Sequence, residues 1–190
     1  MTRKQLLDQL KQQMAADTTL PLRDSATNLV FGEGSINPKI YFLGEAPGRF
    51  EDLSGRPFIG QAGKLLNSML ESIGIAREDV YITSVLRYRP PQNRDPKPDE
   101  IAAFKPYIDK EIAILKPKII ATLGRFSLNK FLPNVKISQV HGISHPIIFN
   151  GLSVVIFPLY HPAAALRRQQ FKQVLKTDFQ KLADLLSGQL

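Results

Sequence analysis

"KIYFLGEAPGRFEDLSGRPFIGQAG", residues 39–63, decides how this chain is read. Ile40–Leu43 is an apolar run of strand length, too short for an ordinary helix. Between Leu43 and Gly63 there are then five glycines and two prolines. Such a segment cannot continue a strand, and it leaves backbone N–H groups free to meet an anion or a carbonyl oxygen near a helix start. The next stretch, "AGKLLNSMLESIG" (62–74), sets Leu65, Leu66, Met69, Leu70 and Ile73 on one helical face, with Gly74 as its stop. Strand, glycine-rich loop and helix form one βα unit. The loop is only superficially a P-loop. Lys64 is followed by Leu65 rather than by the Ser or Thr that would hold magnesium, and the glycine spacing differs.

The same unit recurs outward in both directions. "VYITSVL" (80–86) and "KIIATLG" (118–124) read as further strands. Helical spacing runs from Asp99 to Leu115, with Pro106 expected to kink that helix or start its second half. A short helix follows the third strand as far as about Phe131. "HPIIFNGLSVVIFPL" (145–159) reads as a hairpin turning at Asn150–Gly151. At the ends, residues 2–15 and the tail from His161 carry amphipathic helical patterns. Between them, 16–35 reads as loop with a short extended piece, "NLVFGEG".

Strands alternating with helices predict one α/β domain over residues 1–190, with a mostly parallel central sheet and helices on both faces. Ligands of such sheets bind at the carboxyl ends of the strands. Three loops leave from those ends: "GEAPGRFED", "RYRPPQNR" and "YHPAAALRR".

Composition narrows the chemistry. The net charge is +8, which suggests an anionic partner such as nucleic acid, or else a merely basic surface. There are no cysteines, which excludes disulfides, thiolate metal sites, cysteine-held iron–sulfur clusters and a cysteine nucleophile. The three histidines, His141, His145 and His161, lack a metal-binding spacing, so no metal is expected. No apolar run reaches the roughly 18 residues of a membrane span, and Met1–Asp17 lacks a signal-peptide core. The expectation is a soluble, cytoplasmic monomer with no membrane partner.

Each loop admits two readings. Phe58 either stacks on a planar ligand or plugs its loop onto the core. Arg87, Arg89 and Arg94, stiffened by four prolines in "RYRPPQNRDPKP", either bind phosphates or form a solvated basic loop. His161, restrained by the proline after it, either donates a hydrogen bond to an oxyanion or is structural. Arg167 and Arg168 begin the basic face of the last helix.

Taken together, "GEAPGRFEDLSGRPFIGQAG", "RYRPPQNRDPKP" and "YHPAAALRR" resemble the signature loops of family-4 uracil-DNA glycosylases, and the resemblance runs from about Pro21 to the C-terminus. It implies a three-layer α/β/α sandwich around a four-stranded parallel sheet. It also implies hydrolysis of the N-glycosidic bond of a uracil flipped out of single- or double-stranded DNA. By resemblance, Gly44, Ala46, Pro47 and Gly48 line the base pocket and Phe58 stacks on the base. His161 faces the carbonyl oxygen on which negative charge grows. Arg87, Arg89, Arg94, Arg167 and Arg168 meet DNA, and the segment 163–168 presses into the duplex. Glu45 is the candidate for orienting water, with Glu51 or Asp52 as alternatives, because Ala46 stands where some other uracil glycosylases place an aspartate.

The chain departs from the family twice. The family's four cluster-binding cysteines correspond here to Asp17, Leu20, Tyr88 and Phe104, so no iron–sulfur cluster is expected and apolar packing is expected in its place. Ser84 stands where the family has an asparagine that reads the uracil edge. Serine offers one rotatable hydroxyl in place of a planar amide. That leaves open a weaker uracil enzyme, a glycosylase for another deaminated base such as hypoxanthine or xanthine, or a non-catalytic binder of damaged or single-stranded DNA.

Overall fold

The computed structural model describes residues 1–188; the last two positions of the 1–190 span lie outside the described residues. The elements run α1 (Arg3–Ala16), β1 (Glu33–Gly34), β2 (Ile40–Gly44), α2 (Arg49–Ser54), α3 (Gln61–Ser72), β3 (Tyr81–Ser84) and α4 (Pro98–Leu115). They continue with β4 (Ile119–Leu123), α5 (Arg125–Phe131), α6 (Ile137–Val140), β5 (His145–Phe149), β6 (Leu152–Leu159), α7 (Pro162–Arg167) and α8 (Gln169–Ser187). No described helix is long and apolar enough to cross a membrane.

The strands form one six-stranded sheet in the order β1-β3-β2-β4-β6-β5. Its four inner strands are mutually parallel, as expected. The difference from a four-stranded sheet lies at the edges, where β1 and β5 add on antiparallel. β5 is the first arm of the expected hairpin, and Asn150 (φ 48) and Gly151 (φ 80) take the left-handed geometry that its tight turn needs.

Alternation along the inner strands sends side chains to two cores. Tyr41, Leu43, Tyr81, Ile120 and Ile156 pack with Leu7, Leu10 and Met14 of α1 and Phe104, Ile108, Ile112 and Leu115 of α4. Ile40, Phe42, Ile82, Ala121 and Phe157 pack with Leu65, Leu66, Met69 and Leu70 of α3 and Leu175, Phe179 and Leu182 of α8. Buried on both faces, β2 and β4 show no exposed residue, as the inner strands of a parallel sheet should.

α4 runs as one helix through Pro106, with its apolar face carried across it. One helix differs from expectation. The C-terminal helical pattern is instead broken at Arg168, whose extended backbone (φ −141, ψ 117) separates α7 from α8.

Candidate active site

The loops that leave the carboxyl ends of the inner strands meet as expected, and backbone bonds join them. Val85 N–H donates to Gly44 O and Leu86 N–H to Glu45 O, each at 3.0 Å. Gly124 N–H donates to Leu159 O at 2.9 Å, which ties the end of β4 to the end of β6. Above these joins lies a cavity of about 540 Å³. Its walls include Glu45, Ala46, Pro47, Gly48, Phe58, Ser84, Asp95, Arg125, His161 and Arg167. Size alone does not single it out, because a cavity of about 560 Å³ lies between α1 and α4. That second cavity is lined by the apolar Leu6, Leu10, Ala113 and Ile114, and the titratable residues described in its lining are Arg3, Lys110 and Lys116.

The glycines of the 43–63 loop turn out to serve the loop itself. A Cβ at Gly44 would fall 2.4 Å from the Phe58 ring, and one at Gly63 would fall 1.8 Å from the Phe58 carbonyl oxygen. Gly44 therefore backs Phe58 and does not appear in the cavity wall. Phe58 itself has φ 51, a costly conformation for a bulky residue that the surrounding packing must hold. It is buried, and its ring centroid lies 5.8 Å from that of His161 at a tilt of 33°. Arg77 fixes the same turn, donating to Phe58 O at 3.0 Å and Pro57 O at 2.6 Å.

Glu51 closes this loop. Its carboxylate accepts from Gly48 N–H at 3.1 Å, Ile59 N–H at 2.9 Å and Gly60 N–H at 2.7 Å. Asp52 accepts from the backbone N–H groups of Thr27 and Asn28 at 2.8 and 3.1 Å. Both carboxylates are thus committed to backbone donors. Glu45 differs: it has no such partner among the described residues and lies half-buried in the cavity wall. Burial and the nearby Asp95 push its carboxyl above the usual range, and Arg125 opposes them.

His161 caps the start of α7, its Nδ1 accepting from Ala163 N–H at 3.1 Å. An accepting Nδ1 in a neutral ring leaves the proton on Nε2. Burial pushes the imidazole down to about 4, with Glu51 pulling weakly the other way, so the ring is neutral near pH 7. Ser84 ends β3 directly across from Gly44, is buried, and lines the cavity.

The arginines separate. Arg87, expected at the DNA surface, is fully buried. It donates to both carboxylate oxygens of Glu111, at 2.6 and 3.2 Å, and the hydroxyls of Tyr41 and Tyr81 donate to the same carboxylate. A charge so placed and paired cannot reach DNA, and the expectation for it is corrected. Arg94 lines the cavity but is held by Glu100 at 2.5 and 2.9 Å. Arg89 does not line the cavity but donates to Oδ1 of the wall residue Asn93 at 2.7 Å, and Arg168 also lies outside the wall. Arg167 lines the mouth. Two wall residues had no sequence signal of their own. Asp95 was absorbed into a proline-rich loop, and Arg125 was a single cation at a helix start.

A parallel α/β sheet whose strand-end loops converge on a neutral histidine, an aromatic wall and a half-buried carboxyl defines the class of an α/β hydrolytic enzyme. The chain belongs to the uracil DNA glycosylase superfamily, whose family model matches residues 31–183. It is similar to proteins named type-4 uracil-DNA glycosylase. With that of Sulfurisphaera tokodaii it shares 43% identity over 185 residues, covering 94% of this chain and 84% of the relative. With that of Archaeoglobus fulgidus it shares 43% over 184 residues, covering 94% and 92%. With that of Thermotoga maritima it shares 39% over 182 residues, covering 95% and 94%.

Proposed function

We propose that this chain is a monofunctional uracil-DNA glycosylase that hydrolyses the N-glycosidic bond of a flipped-out uracil and leaves an abasic site. The carrying observation is His161, held at Nδ1 by Ala163 N–H with no Nε2 partner among the described residues, beside Phe58 in a cavity at the strand ends.

The chemistry follows from that arrangement. As the bond from uracil to the sugar breaks, the electron pair goes to the base and negative charge builds on its carbonyl oxygen. A preorganised N–H at that oxygen is stronger in the transition state than in the ground state, which is what lowers a barrier. A neutral donor serves because no proton need be transferred. The Phe58 face stacks on the extruded base, and Glu45, with its raised carboxyl, orients the water that attacks the sugar carbon. Gly48, Ala46 and Pro47 wall the base; Ser84 meets its edge; Arg167 contacts the backbone at the mouth.

We further propose that the enzyme works without an iron–sulfur cluster. The residues at the matching positions do not fit one, since none supplies a thiolate. Leu20, Tyr88 and Phe104 are buried in one core, with the Tyr88 and Phe104 rings 6.2 Å apart. Asp17 accepts from the Tyr107 hydroxyl at 2.6 Å. This packing ties the N-terminal segment to the "RYRPP" loop, the job that a metal cluster would otherwise do.

Single-turnover excision from a uracil-containing oligonucleotide, single-stranded and paired with guanine, tests the main reading. Abasic product that is lost in His161→Ala supports it. Bound DNA without product turns the assignment to another deaminated base, as Ser84 would favour. Iron and sulfide analysis of active protein tests the second reading, and stoichiometric iron would sink it.

A further inference from the structure

Arg125 and Asp95 pair across the mouth of the active-site cavity, and both line it. Each side chain is about two-thirds exposed (67% and 66%), so water and salt screen the pair and it adds little to stability. Yet Arg125 is placed with care. It is the first residue of α5, and directly before it Gly124 (φ 91) is bound to Leu159 O. A Cβ at Gly124 would fall 3.2 Å from the Cβ of His161, so the backbone itself sets Arg125 beside the catalytic histidine. The guanidinium carbon lies 4.7 Å from the Phe126 ring centre, which supports the plane of the fork.

Two arginines of the neighbouring strand-end loop are held by carboxylates of their own. Arg87 is buried on Glu111, and Arg94 is held twice by Glu100, which also accepts from Lys97 N–H at 2.8 Å. Arg125 has one carboxylate partner, exposed and easily exchanged.

We propose that Arg125 takes a backbone phosphate beside the extruded nucleotide, and that in free enzyme Asp95 stands in for that phosphate. This rests on the glycosylase reading. An arginine fork binds phosphate as it binds carboxylate, with two charge-assisted hydrogen bonds. Asp95 keeps the fork aimed at the mouth when DNA is absent. It also repels phosphates, so an undamaged backbone that does not reach the cavity gains nothing from Arg125. Glu45 feels the same two charges, Asp95 raising its carboxyl and Arg125 lowering it, which couples phosphate arrival to the water-orienting group.

The test is equilibrium binding, across a salt series, to a duplex carrying a tetrahydrofuran abasic-site analogue and to the undamaged duplex. Thermal denaturation is measured alongside. Arg125→Gln should weaken analogue binding by about tenfold and reduce the slope of log K against log salt by about one, the share of a single phosphate. It should change undamaged-duplex binding far less. Asp95→Asn should tighten analogue binding. An unchanged affinity and slope in Arg125→Gln overturns the proposal. So does equal weakening by both substitutions with a lowered Tm, which would make the pair a structural brace. If wild type does not distinguish the two duplexes, the glycosylase reading itself falls, and this inference with it.

Discussion

His161 Nδ1 accepts the backbone N–H of Ala163 at 3.1 Å, so the helix that carries the histidine also chooses its tautomer. The donor therefore does not depend on a proton from solvent near neutrality. His161→Ala should lower single-turnover excision by about 10²- to 10³-fold, the usual loss for one oxyanion donor. His161→Asn, which keeps an N–H donor, should recover part of that loss, and quench-flow on both variants decides it.

The two titrating groups of the site are displaced in opposite directions, His161 downward and Glu45 upward, and each predicts its own pH dependence. His161 has its folded value depressed to about 4 from the ordinary 6.5 of an imidazole. The unfolded chain thus binds more protons between those values, and stability falls as pH drops through about 6.5 toward 4. His161→Gln should flatten that part of the Tm–pH curve. Glu45 has its folded value raised above 4.5, and in the proposed mechanism it orients water in its ionised form. Excision should therefore rise with pH through a limb above the ordinary glutamate range. Asp95→Asn should move that limb to lower pH, because repulsion is removed. A limb that stays in Glu45→Gln would assign the titration elsewhere.

Ser84 lies opposite Gly44, whose missing Cβ would fall 3.3 Å from the Ser84 hydroxyl and 2.4 Å from the Phe58 ring. Ser84→Asn should raise uracil excision by at least about tenfold, roughly one good hydrogen bond. Competition between uracil and hypoxanthine substrates reads the outcome. A loss of uracil activity would mean that the pocket is organised around the serine.

Arg87 and Glu111 are both fully buried and balance one another. Arg87→Met or Glu111→Gln alone leaves one charge without its counterpart and should cost about 3–5 kcal/mol of stability. Neither should change the salt slope of DNA binding, since Arg87 does not reach solvent. Chemical denaturation and the salt series together check both halves.

Much of this protein is legible locally. Apolar periodicity in "KIYFLG", "AGKLLNSMLESIG" and "KIIATLG" specifies the strands and the helix within a few residues, because a side chain's direction follows from backbone geometry alone. The parallel order then brings the three loops to one edge, so the gathering of Phe58, Ser84 and His161 was foreseeable. What sequence could not decide is which charges meet water. Arg87 looks like its neighbour Arg89 in "RYR", yet Glu111, Tyr41 and Tyr81 bury it across the fold. The glycines at 44 and 63 look like room for a ligand, and their space is taken by Phe58. Arg125 carried no pattern, and only the 30 residues' separation closed by the fold sets it against Asp95 at the cavity mouth. Secondary structure is written in neighbours, whereas burial, pairing and the protonation of a site depend on contacts that exist only once the chain has closed on itself.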